Sequence, residues 1–160
     1  MKKDGQKTVL VLDNIRSVYN VGAIFRTADA LAIDRIYLVG ITPAPVDRFG
    51  RFRKDLAKAA LGAEKSVTWE SVTSLTSIFK KLKATGYQLI AIEQGFRSVD
   101  YKIVQTKNRV AFVVGEETKG ISKKFLKLCD LVAEIPMRGQ KESLNVSVAT
   151  GVALFRILNQ

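Results

Sequence analysis

Three stretches of the chain concentrate groups able to bind anions, hold a polar ligand or move protons. The first, Asp13-Asn14-Ile15-Arg16-Ser17-Val18-Tyr19-Asn20 running on to Arg26, gathers amide and guanidinium groups at a loop and the start of a helix. In its plainest reading Asn20 caps that helix and Arg26 is solvated. Arg26 fits that reading badly, because it stands among apolar Ile24, Phe25, Ala28 and Leu31. The second stretch, Gly115-Glu116-Glu117-Thr118-Lys119-Gly120-Ile121-Ser122, is an acidic loop bounded by glycines after the apolar run Arg109 to Val114. Glycine lets a ligand approach the backbone closely; an ordinary turn with a helix cap at Ser122 is the alternative. The third passes from Ile135-Pro136-Met137-Arg138-Gly139 to Ser143-Leu144-Asn145-Val146-Ser147-Val148-Ala149, where Ser143 and Asn145 either cap the last helix or line a site.

Composition narrows what these groups can do. Among 160 residues, 26 are Lys or Arg and 15 are Asp or Glu, a formal net charge of +11. Such a surplus on a small body points to a polyanion, nucleic acid first and anionic membrane second, with an inert basic surface as the alternative. Histidine is absent, which excludes Ser-His-Asp and Cys-His hydrolases and the usual Cys/His zinc sites, so no metal is expected. The single Cys129 cannot form an internal disulfide. No G-x-G-x-x-G follows a strand and no G-x-x-x-x-G-K-[ST] occurs, so dinucleotide and P-loop readings both fail. No apolar run approaches the roughly 20 residues that span a bilayer, and the N-terminus lacks a signal-peptide core. A cytoplasmic protein without membrane attachment is expected.

The elements that must position these groups alternate in type. β-branched, nearly continuous apolar runs at Thr8 to Leu12, Arg35 to Val39, Ser66 to Trp69, Gln88 to Ile92, Arg109 to Val114 and Leu131 to Ile135 read as strands covered on both faces. Helical patterns lie between them: Val21 to Leu31 after Asn20, Val72 to Thr85 after Ser71 and ending at Gly86, and Ser122 to Leu128. The expected fold is therefore a single α/β domain, a mostly parallel sheet with helices on both faces. Ligands of such sheets sit beyond the strand C-termini, which directs attention to the segments after Leu12, Val39, Ile92, Val114 and Ile135. The last segment, Asn145 to Leu158, is apolar almost all round, so it must be buried on more than one face, and a homodimer interface is expected there.

Taken in order, Asn20 with Arg26 six residues on, Gly115-Glu116-Glu117, Ile135-Pro136-Met137 and Ser143-Leu144-Asn145-Val146-Ser147-Val148-Ala149 resemble the three motifs of the SpoU/TrmH family of RNA ribose 2'-O-methyltransferases, in the SPOUT superfamily. The resemblance runs from Val9 to Leu158. It implies an α/β fold with a C-terminal trefoil knot, S-adenosyl-L-methionine as methyl donor held by Gly115, Ile135, Met137 and Leu144, and an obligate homodimer with the site near the interface. It implies further that Asn20, Arg26, Glu117, Ser143 and Asn145 form the catalytic group, with Glu117 orienting a neighbouring donor or Arg26. A guanidinium is a poor base. Arg26 is therefore expected to bind phosphate and stabilise developing alkoxide charge, a role typically worth ~3 to 4 kcal/mol, while the base role proposed in related enzymes stays open.

Affinity for RNA is expected from Arg16 and from the Asp47 to Lys58 segment, where Arg48, Arg51, Arg53 and Lys54 surround Phe49 and Phe52. Arginine interleaved with aromatic rings suits phosphate contact with base stacking; the alternative is a solvated helix that buries both rings. No separate RNA-binding domain is expected in residues 1–160, which leaves tRNA and rRNA both open as substrates. A binding protein of the same fold that has lost turnover is the second reading.

Overall fold

The computed structural model describes residues 5–95 and 97–159. Seven strands form one sheet, every pairing parallel: β1 (Lys7–Asp13), β2 (Arg35–Val39), β3 (Trp69–Val72), β4 (Gln88–Ile92), β5 (Ser98–Asp100), β6 (Arg109–Val114) and β7 (Leu131–Glu134), in the order β3-β2-β1-β6-β4-β7-β5. The helices are α1 (Val18–Ala30), α2 (Lys54–Ala60), α3 (Ala63–Ser66), α4 (Leu75–Ala84), α5 (Lys123–Leu126) and α6 (Val146–Leu158). The expected α/β class and parallel sheet are both observed.

Alternation along the central strands explains their unbroken apolar character. Leu10 and Leu12 of β1 and Phe112 of β6 face a layer formed by α1, α2 and α6, where they meet Ile24, Phe25, Leu56 and Leu154. Val9 and Val11 of β1 and Val113 of β6 face the opposite layer, against Ile78, Phe79 and Leu82 of α4 and Leu126 of α5. Both sides of each strand are thus removed from water, at roughly 1.5–3 kcal/mol per large side chain.

Several boundaries differ from the sequence reading. The strand expected at Ser66 to Trp69 lies at Trp69–Val72, because Ser66 closes α3. That shift consumes Ser71, and α4 is capped instead by Ser74, whose Oγ accepts from the Ser77 N–H. Helix α1 begins at Val18, with Ser17 as its cap: the Ser17 Oγ accepts from the Asn20 N–H at 3.2 Å, so Asn20 lies inside the first turn and its side chain is free for other work. The short strand β5 was not anticipated; three half-buried residues carry too little period to be seen. The Asp47 to Lys58 segment is a tight turn followed by α2, and it does not bury its rings, since Phe49 and Phe52 are 66% and 71% exposed.

Helix α6 answers only partly to the expectation of burial. Thr150, Ala153, Leu154 and Ile157 are buried, whereas Val148, Val152 and Phe155 are exposed along one side, continuing a line from exposed Leu144.

Candidate active site

The loops that leave β4, β6 and β7 converge beyond the C-terminal edge of the sheet and enclose a cavity of about 530 Å³. Its wall is built from Ile92 to Gly95, from Gly115 to Lys123, from Ile135 and Met137, and from Ser143 to Val146. Gly115, Ile135, Met137 and Leu144 all line it, as do Glu117, Ser143 and Asn145. The volume lies within the range typical of small-molecule sites.

The acidic loop turns back on itself tightly. Gly120 N–H donates to the Glu116 carbonyl at 2.9 Å, and Gly120 has φ of +62°, where L side chains are strained. A Cβ on Gly115 would lie 2.5 Å from the Gly120 carbonyl carbon and 2.7 Å from Ile121, so a side chain there would collide with the opposite limb of the turn. The Glu93 carboxylate, at the end of β4, occupies the space that a Gly120 side chain would need. It accepts from the Ile121 N–H at 3.1 Å and from the Gln94 N–H at 2.9 Å, fastening the acidic loop to the β4 exit.

Glu117 joins this loop to the first motif. Its carboxylate accepts from the Arg16 N–H, the Ser17 N–H and the Asn20 Nδ2, each at 3.1 Å. Partial burial pushes its pKa up, but the N–H groups of Arg16, Glu117 itself and Ser17, with the Asn20 amide, outweigh that and hold it below the usual glutamate value. Asn20 then passes the linkage on: its Oδ1 accepts from the Asn145 Nδ2 at 3.1 Å. Asn145 in turn caps α6, accepting from the Ser147 N–H at 2.9 Å and the Ser147 Oγ at 2.6 Å. One chain of hydrogen bonds therefore connects all three motifs. Arg16 adds an ion pair to Glu116 at 2.9 Å. Asp13 sits beneath, its pKa raised chiefly by burial, lowered by the Asn14 amide and raised again by Glu116.

Arg26 stands apart. It is exposed and does not line the cavity, and of the two roles expected for Glu117 the carboxylate takes the first, holding neighbouring donors on Arg16, Ser17 and Asn20 rather than Arg26. The reason is helical geometry: six residues advance α1 by about 9 Å and rotate it by roughly 240°. Arg26 shares its side of α1 with exposed Tyr19 and Ala30, and α1 packs against α6, which carries exposed Val148, Val152 and Phe155. The two helices approach closely at Gly151, where a Cβ would lie 3.8 Å from the Thr27 Oγ1. Arg48, Arg51, Arg53 and Lys54 also lie outside the cavity wall, on the turn and helix that follow β2.

The model of the SpoU rRNA Methylase family matches residues 7–155, almost the whole chain. The chain belongs to that family. Among curated relatives of this SpoU chain is the 23S rRNA (guanosine-2'-O-)-methyltransferase of Pseudomonas aeruginosa, 33% identical over 159 residues, covering 99% of the chain and 61% of the relative. Two solved structures resemble the SpoU chain at 29% identity. An AdoMet-bound rRNA methyltransferase from Sinorhizobium meliloti has a TM-score of 0.85, covering 98% of this chain and 56% of that one. A TrmH/SpoU tRNA modifying enzyme from A. aeolicus has a TM-score of 0.83, covering 99% and 77%. The chain thus spans about three-fifths of the length of the curated relatives it matches.

Glu93 is the site residue that motif reading missed in this SpoU chain. The available signal was positional, since Glu93 directly follows a strand, at the edge where parallel sheets place ligands.

Proposed function

We propose that the chain is an S-adenosyl-L-methionine-dependent methyltransferase acting on a ribose 2'-hydroxyl of structured RNA, either tRNA or rRNA. Residues 1–160 form a SPOUT fold with a C-terminal trefoil knot, and the chain works as a homodimer. The observation that carries this reading is one cavity lined by the second and third motifs, with the first motif tied to its rim by the hydrogen-bond chain Glu117, Asn20, Asn145. Support for the knot comes from the order of the strands, with β6 entering between β1 and β4 and β7 between β4 and β5.

The cavity fits the donor on its own chemistry. Gly115 lets the acidic loop fold tightly on itself at the cavity wall, Ile135, Leu126 and Met137 offer an apolar wall, and Glu93, Glu116 and Glu117 supply negative charge suited to a sulfonium cation. Gly115, Ile135, Met137 and Leu144 would hold it. When bound, S-adenosylmethionine supplies a methyl group on positively charged sulfur, so no metal is called for. Ser143 and Asn145 line the side from which a ribose would approach, and Asn20 holds Asn145 in place.

Arg26 completes the site from the partner subunit. The exposed line of Leu144, Val148, Val152 and Phe155 is apolar and unpaired among the described residues, which makes it a surface for a second copy. Leu144 belongs both to that line and to the cavity wall. A two-fold pairing through α6 and the outward side of α1 carries Arg26 of the partner subunit toward the cavity mouth. There it binds the phosphate beside the target ribose and stabilises the developing alkoxide, an electrostatic contribution of ~3 to 4 kcal/mol. Arg16 and the basic turn after β2 supply RNA affinity.

The test is methyl transfer from labelled S-adenosylmethionine to RNA purified from cells lacking this protein. Label is expected on ribose, making the adjacent linkage resistant to alkali. Calorimetry with the donor alone separates an enzyme from a binding protein: no heat of donor binding together with no labelled ribose would defeat the proposal.

A further inference from the structure

The turn after β2 is built to hold an aromatic ring out in water. Asp47 organises it: its carboxylate accepts from the Phe49 N–H at 2.8 Å, the Arg51 N–H at 3.0 Å and the Arg51 Nε at 2.8 Å. Val46 pairs with Phe52 across the turn, and the Arg53 N–H donates to the Pro45 carbonyl at 3.0 Å. The guanidinium groups of Arg48 and Arg51 lie 4.8 Å and 5.1 Å from the Phe49 ring centre, so Phe49 is braced by cations while most of Phe52 faces solvent. Exposing two phenylalanine rings on a rigid turn costs hydrophobic free energy and wants an explanation.

The turn is also coupled mechanically to the motif-bearing loops. The Thr42 Oγ1 donates toward the Val39 and Leu12 carbonyls and accepts from the Ile15 N–H at 3.1 Å, while the Asn14 Oδ1 accepts from the Ile41 N–H at 3.2 Å. Helix α2, which continues the turn, is seated against α1 where Gly22 has no side chain; a Cβ there would be 2.6 Å from the Ala59 Cβ. The turn therefore stands at the same C-terminal edge of the sheet as the cavity, beside the loop that carries Arg16.

Charge is divided unequally within it. Arg51 is paired with Asp47 and Arg53 with Asp55, each at 2.8 Å. Arg48 and Lys54 are exposed and have no acidic partner among the described residues. Two spent cations, two available ones and two exposed rings match a nucleic-acid strand whose bases are unstacked: rings for the bases, free cations for the phosphates. A paired duplex presents phosphates but no free base face.

The geometry points to residues 46–54 as a stacking platform for an unpaired base of the RNA, so that the substrate is a loop or bulge. The inference rests on the RNA reading above and narrows it. Phe52 stacks the base, Phe49 supports it, and Arg48 and Lys54 contact phosphates, while Arg51 and Arg53 shape the turn.

The experiment compares the full chain's affinity for a stem–loop RNA with its affinity for the same stem closed as a blunt duplex. Wild type is expected to prefer the stem–loop. Phe52→Ala, and the Phe49→Ala Phe52→Ala double variant, should weaken stem–loop binding by roughly 5- to 150-fold, leaving duplex affinity and Tm unchanged. Phe52→Trp should retain the preference. Arg48→Gln and Lys54→Gln should each flatten the salt slope by about 0.7, and Arg51→Gln should not. Equal wild-type affinity for the two RNAs, or a double variant that keeps the preference, would overturn the platform and leave the RNA reading standing. Binding to neither RNA would overturn both.

Discussion

Asn20 and Arg26 ride on the same helix, yet they belong to regions organised on opposite principles. Around Asn20 the polar groups are linked within the chain: Glu117 receives three donors, Asn20 both gives and accepts, and Asn145 caps α6 while donating to Asn20. Around Arg26 the surface is unfinished, with Tyr19 on α1 and Val148, Val152 and Phe155 on α6 open to water. The contrast teaches that the rim of the cavity is tied together within one chain, whereas the outward face of α1 and α6 is left open.

The largest effect that can test this contrast is on turnover. Arg26→Ala and Gly115→Val should each abolish methyl transfer, the first by removing charge stabilisation and the second by forcing apart the acidic loop that walls the cavity. Mixed and re-annealed, the two inactive proteins should regain up to about a quarter of wild-type activity, the fraction of sites in random two-fold dimers that carry both intact groups. No recovery would mean that Arg26 serves its own subunit's cavity.

A carboxylate placed on the open side of α6 gives the next effect. Phe155→Glu should prevent the proposed two-fold pairing and give a monomer in sedimentation, because an unpaired charge buried at an interface costs about 3–5 kcal/mol. Donor affinity should hold and turnover should fall. A variant that stays dimeric would move the interface elsewhere.

The smallest effect concerns the hydrogen-bonded rim and pH. Glu117 is held below the usual glutamate value in the folded chain, so its stabilisation is present above the unfolded pKa and is lost as pH falls through the depressed folded one. The carboxylate is exposed, so the loss is modest. Glu117→Gln should therefore flatten the acid limb of a Tm-versus-pH curve, and an unaltered limb would show that the contacts carry no net stability. Asp13 works in the reverse sense. Its raised pKa favours folding below the unfolded aspartate value, and that advantage fades as pH rises through the folded one. Asp13→Asn should accordingly raise Tm near neutrality by a small amount.

How much of this could be read in advance depended on the range of the interaction involved. Strands β2, β4 and β6 were read to the residue, since burial on both faces leaves a continuous apolar run with sharp ends. The cap of α1 was misassigned because Ser17 and Asn20 are both good caps, and only the destination of the Asn20 side chain separates them. Arg26 is grouped with the site by its motif, yet it does not line the cavity, because spacing along a chain does not fix which side of a helix faces a site. Glu93 carried no motif at all.

Periodicity, capping residues and turn glycines are local properties, and from them the parallel α/β class and the three clusters follow without coordinates. The partners of Asn20 do not, for Glu117 and Asn145 lie 97 and 125 residues further along the chain. They meet Asn20 only because the order of the strands places β6 beside β1 and returns α6 across α1. Hydrogen-bond geometry is satisfied within tenths of an ångström, a condition that sequence patterns cannot express and that the packed fold alone supplies.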